Sequence, residues 1–148
     1  MKPAASNPHR LFIGFSVFLY LAACVAPCLE VTQKSDPVWP GWQILLMGWL
    51  GVLVGQFAWL ANPLWLGGLI FFALRKWTVA LILSGLAILP TFNTLTMFVT
   101  ELPADEGGMN TFHLVRLRIG FYLWLASLAV LFVGAFVMKR RSAEQGHY

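Results

Sequence analysis

The sequence predicts an all-α, polytopic membrane protein: a four-transmembrane-helix bundle with an extra short interfacial or re-entrant helix after the second span. Three observations carry this. Of the 148 residues, 59% are hydrophobic and only 11% charged, against about 25% charged in an ordinary soluble domain. Charge-free stretches of 19, 38, 24 and 20 residues separate Arg10 from Glu30, Asp36 from Arg75, Lys76 from Glu101 and Arg118 from Lys139, and one crossing needs roughly 20 apolar residues. The remaining charges also alternate by loop. If the 38-residue stretch crosses once, Lys2, Arg10, Arg75, Lys76 and Lys139–Arg141 fall on one side. Glu30, Lys34, Asp36, Glu101, Asp105, Glu106, Arg116 and Arg118 fall on the other. Because cytoplasmic loops collect Lys and Arg, this places both termini in the cytoplasm, in a membrane expected to be the bacterial inner one. A five-helix count would put the Lys139–Arg141 cluster outside.

The whole chain, 1–148, reads as one integral membrane domain. The first span covers 11–28. Its basic start and apolar run have the look of a signal sequence, and Leu21-Ala22-Ala23-Cys24 resembles the lipobox of bacterial lipoproteins. That match is four residues long and common in membrane helices, so an intact span is expected. Cys24 and Cys28 are spaced CxxxC rather than the redox CxxC, with Pro27 between them, which favours inert thiols.

An outer loop, 29–41, leads to the second span, 42–61. On a helix its residues Gly48, Gly51, Gly55, Ala58 and Asn62 share one face, a flat seam. In lipid, helices associate by close backbone contact and hydrogen bonds, which small residues permit. Asn62 suits an N-cap and Pro63 a first helical turn, so 63–74 is expected to be the short extra helix. The third span, 78–99, repeats the habit with Ala80, Ser84, Ala87, Thr91 and Thr94. Pro90 removes a helical hydrogen bond there, and neighbouring hydroxyls commonly repair such breaks. The fourth, 119–138, carries Gly120, Ser127 and Gly134 at intervals of seven. The tail, 139–148, opens with three basic residues suited to anionic lipid.

No Asp, Glu, Lys, Arg or His lies inside an expected span, which speaks against proton relays and ion coupling. Gln56, Asn93 and Thr94 are the candidates for a small polar cavity. The loop 100–118 holds Glu101, Asp105, Glu106 and His113, but without the tight spacing of a metal site. No metal, cofactor or nucleic-acid partner is expected. The seven tryptophans read mainly as interfacial anchors: Trp59, Trp65 and Trp77 inside, Trp39, Trp42 and Trp124 outside.

The function expected is non-enzymatic: binding a membrane protein partner, or a second copy, through the Gly48–Asn62, Gly120, Ser127 and Gly134 faces or the 100–118 loop. Accessory subunits and immunity-type proteins have this size and layout. A homo-oligomeric channel or small-solute transporter using Gln56 and Asn93 is the alternative. A thiol oxidoreductase built on Cys24 and Cys28 comes third.

Overall fold

A computed structural model describes residues 8–32, 37–103 and 110–145. Three helical stretches are long and apolar enough to cross a bilayer: Pro8–Val25, Trp77–Phe98 and Ile119–Glu144. They correspond to α1 (Pro8–Val25), α4 (Trp77–Thr91) with its 3₁₀ continuation Phe92–Phe98, and α5 (Ile119–Gln145). The first span thus ends three residues earlier than expected, because Pro27 opens a strand. Helical structure also runs through Lys139–Arg141, where a polar tail was expected.

The second span differs most. Residues 42–61 do not form one helix. Instead α2 (Gly41–Met47) passes into a 3₁₀ segment, Gly48–Val54, which stops at Gly55. Gly55 has φ +81°, the left-handed conformation that ends helices and favours glycine. Glycines at 48, 51 and 55 lower helix propensity together, and the Gln56 N–H donates to the Gly51 carbonyl at 2.8 Å, closing the turn. A second 3₁₀ turn, Ala58–Leu60, leads into α3 (Ala61–Ala73). Asn62 is therefore inside α3 rather than its cap; Leu60 occupies that position without a side-chain cap. Pro63 still falls in the first turn, where its missing N–H costs nothing.

Four helices pack together: α1 on α5, α3 on α4, and α4 on α5. The turn Leu74–Lys76 makes α3 and α4 a hairpin. Small residues set these contacts. The seam Ala80, Ser84, Ala87, Thr91 and Thr94 is the buried side of α4 and its 3₁₀ continuation, and Ala80 and Ala87 share a core with Ala61, Trp65, Phe72, Leu128, Leu131 and Ala135. Ser84 and Thr91 return their hydroxyls to backbone carbonyls one turn back, which lets polar residues be buried without orphaned donors.

The stretches expected as outer loops, 29–41 and 100–118, contain strands. Strands β1 (Pro27–Val31), β2 (Val38–Pro40) and β5 (Leu114–Leu117) form an antiparallel sheet in the order β2-β1-β5. A second ladder joins β3 (Leu102–Pro103) to β4 (Thr111–Phe112). Cys28, Leu29, Val31, Met97, Leu102, Phe112, Leu114 and Phe121 make a separate hydrophobic core beneath this cap. Trp39 packs on Phe112 with ring centroids 5.0 Å apart.

Register explains the cap's electrostatics. Glu30 pairs across the ladder with Arg116, and its Oε2 accepts from Arg116 Nε at 3.0 Å and Nη2 at 2.8 Å. Arg118 reaches the same oxygen. The Arg116 hydrogen bonds, then those of Arg118, hold the Glu30 carboxyl below its usual range. Arg75, Lys76 and Lys139 share one end of the bundle, and the Glu30–Arg116–Arg118 cluster lies on the cap at the other.

Candidate functional site

Three side chains from three helices meet in the half of the bundle nearer the β-cap. Asn62 of α3 presents Oδ1 to two donors, Tyr20 Oη of α1 and Trp124 Nε1 of α5, each at 3.0 Å. One turn deeper, Ser16 Oγ donates to the Ser127 carbonyl at 2.8 Å and accepts from Trp65 Nε1 at 3.0 Å. Tyr20 and Trp65 stack between these two knots, centroids 4.0 Å apart and planes at 4°. Amphipathic aromatics are suited to this, since the ring buries apolar area while the tip takes a hydrogen bond.

Above the Asn62 knot lies a cavity of about 70 Å³, lined among others by Tyr20, Cys24, Cys28, Trp59, Asn62 and Trp124. Its wall is largely apolar. With so few polar partners, such a space favours an apolar guest, an acyl tail or a hydrophobic side chain, over ordered water. Both thiols border it and both are free. Burial, with Cys24 nearby, pushes the Cys28 thiol up to about 12, so the nucleophilic thiolate is disfavoured at neutral pH.

The seam residues are used inside the chain. A Cβ added to Gly48 would meet Trp59 Cδ1 at 2.8 Å, and one on Gly51 would meet Gln56 Cβ at 3.1 Å. Gly55 is exposed at the turn, with open space around it. Ala58 and Asn62 line the cavity. On α5, Gly120 lies against the Pro27 and Ala26 carbonyls, Ser127 beside Ser16, and Gly134 against Phe12. The residues 48, 51, 55, 58 and 62 therefore do not form a common helical face, because the helix that would align them is broken at Gly55.

The expected polar cavity is not assembled either. Thr94 borders the apolar cavity. Gln56 and Asn93 instead stitch the 3₁₀ segment to Phe92–Phe98, the 3₁₀ continuation of α4: Gln56 Nε2 donates to Thr96 Oγ1 at 3.0 Å, and the Phe57 N–H donates to Asn93 Oδ1. Gln56 Oε1 is buried without a hydrogen-bond partner. Trp59 lies at the same, cap-proximal end, its Nε1 donating to the Leu45 carbonyl at 2.8 Å, and Trp65 is buried in the core. Neither anchors the basic end of the bundle. Trp77 does lie at the basic end, edge-on to His9 and Phe72.

Of the acidic loop, Asp105 and Glu106 lie outside the described residues. Glu101 accepts from Thr111 Oγ1, and the His113 N–H donates to Thr32. Among the described residues no group of three or more His, Cys, Asp or Glu side chains converges. Tyr20 and Trp124 were not singled out by spacing. The available signal was a polar-tipped aromatic inside an otherwise apolar span, which in lipid needs a partner.

No family model, curated protein or solved structure matches the chain.

Proposed function

We propose that this is a small, non-enzymatic integral membrane protein that binds a membrane protein partner on the outer face of residues 41–57. One observation carries the reading. The segment Gly41–Phe57 closes through Gln56 and Phe57 onto Thr96 and Asn93 of the third span, and it turns Leu46, Met47, Trp49, Leu50, Leu53 and Phe57 outward, Leu53 being 79% exposed. A seven-residue 3₁₀ run is long for that conformation, whose hydrogen bonds are poorer than those of an α-helix. At membrane depth, non-helical backbone is tolerated where protein or a water-filled cavity covers it. The apolar ridge speaks for protein. The intramolecular use of the small-residue seams leaves this ridge, rather than those seams, as the docking surface.

In this reading α3, with the turn before it, completes a fourth crossing. Ala58–Ala73 is apolar but shorter than the other three, and the bilayer thins or the flanking residues snorkel to fit it. Both termini are then cytoplasmic, in a bacterial inner membrane, by the excess of Lys and Arg at that end. Single cysteines in a Cys24→Ser, Cys28→Ser background check this: Asn110→Cys is expected to react with an impermeant maleimide on intact cells, and Ser142→Cys only after permeabilisation. Labelling of both from outside overturns the four-span count.

The partner itself is tested with a photo-crosslinking residue placed at Leu53, with Leu86 on the third span as the control, since both are exposed. Crosslinking in native membranes is expected to give one discrete protein adduct from position 53 and only lipid adducts from position 86. The same adducts from both positions, or none from position 53, would remove the basis for this function.

A further inference from the structure

We propose that the basic end of the bundle holds a specific site for the phosphate headgroup of an anionic glycerophospholipid, in the cleft between the α3–α4 turn and the last turns of α5. This cleft has a volume of about 410 Å³, the scale of small-ligand sites. Arg75 and Lys76 enter it from the turn, and Lys139 from α5. These are separated by more than sixty residues of chain, so the fold, not a basic run, brings the three cations together. None of them pairs with a carboxylate among the described residues. Glu144 follows Ala143 on α5 and does not line the cleft.

The end of α3 fixes the turn that carries two of these cations. Arg75 has φ +58°; its N–H donates to the Phe72 carbonyl at 3.0 Å and that of Lys76 to the Phe71 carbonyl at 2.9 Å, the closure of a helix C-terminus by a left-handed residue. The remaining wall fits the same ligand. Thr78 and Ser142 supply hydroxyls. The first turn of α4 has no side-chain cap, so its N–H groups are available to an anion, favourably oriented by the helix dipole. Next to these, Trp77 and the exposed Val79 give the apolar border along which an acyl chain descends.

The lipid, not a free phosphate, is the occupant, because the cleft opens where α4 and α5 leave the apolar band of the chain. Basic pockets between spanning helices are a known form of headgroup recognition. It also differs from general attraction of a basic tail: Arg140, one residue on, lies over the Phe136 ring at 5.5 Å and does not line the cleft.

That contrast sets the experiment. The detergent-purified full chain is titrated with a phosphatidylglycerol, with a phosphatidylcholine of the same acyl chains, and with inorganic phosphate, while the thermal unfolding midpoint is followed. Phosphatidylglycerol alone is expected to raise the midpoint saturably. In the Lys76→Gln, Lys139→Gln variant the half-saturating concentration is expected to rise about fivefold per cation removed. The Arg140→Gln, Arg141→Gln variant, equal in net charge, should stay within about twofold of the parent. Lys139→Gln alone, on the exposed end of α5, provides the same comparison if the double variant does not fold. Equal weakening in both double variants, or no weakening in the cleft variants, overturns the site. Saturation by inorganic phosphate in the same concentration range overturns the lipid as its occupant.

Discussion

Gly120→Ala and Gly41→Ala are each expected to destabilise the fold by about 3 kcal/mol, at the upper end of the cost of overpacking a core. The reason is what stands opposite. A Cβ on Gly120 would come within 2.8 Å of the Pro27 carbonyl oxygen, 3.0 Å of the Ala26 oxygen and 3.1 Å of Cys28 Cα. One on Gly41 would fall on the Ala23 carbonyl itself. All of these are backbone atoms, so no rotamer change gives relief, and shifting β1 would disturb both of its ladders. Gly134, whose Cβ would meet the Phe12 ring, has a side chain that can move and should cost less. Gly14→Ala is the internal control. Nothing lies within 4 Å of its Cβ position, and exchanging glycine for alanine in a helix gains up to about 1 kcal/mol. Denaturant titration of the four variants in detergent gives the ranking directly. If Gly120→Ala matched Gly14→Ala, the close approach of α5 to the β1 backbone would be refuted.

The second large effect is expected at Asn62. Asn62→Leu strands two donors, Tyr20 Oη and Trp124 Nε1, and a buried donor without its partner costs about 1–3 kcal/mol. A total of about 2–4 kcal/mol follows, tempered because hydrogen bonds between membrane helices often measure under 1 kcal/mol when the chain finds other partners. A double-mutant cycle separates the two possibilities. With Tyr20→Phe already in place, Asn62→Leu loses one of its two stranded donors, so a coupling of about 1 kcal/mol should appear. Strictly additive effects would mean that Asn62 does not bridge α1 and α5. Asn93→Leu, which frees only the exposed Phe57 N–H, should cost less than Asn62→Leu.

What the residues disclosed in advance follows from how local each signal is. The small side of α4 could be read off Ala80, Ser84, Ala87, Thr91 and Thr94 because a helix repeats its faces every three to four residues. The three long apolar helices were equally legible, as length and absence of charge are properties of continuous sequence. Gly51 and Gly55 were ambiguous: the glycines that let two helices touch are also those that stop a helix, and periodicity alone does not say which. Their position before Gln56, whose N–H closes back on Gly51, decides it only in three dimensions.

The β-cap was hidden for a different reason. Its strands are two to five residues long, β1 begins with proline, and Glu30 finds Arg116 eighty-six positions away. Asn62 was recognised as important on a face that does not exist. Its true partners, Tyr20 and Trp124, required knowing that α1, α3 and α5 converge at one depth.

The bonding of β1 to β5, and of Ser16 to Ser127, has a consequence for biogenesis. α1 and β1 are completed by residues made more than eighty positions later. Until residues 114–127 have been synthesised, one edge of β1 is open, Glu30 has neither guanidinium, and the Ser16 hydroxyl lacks the Ser127 carbonyl. Such long-range closure is slow to form. Translation that stops early therefore leaves α1 and β1 unlocked, with a strand edge free to pair elsewhere.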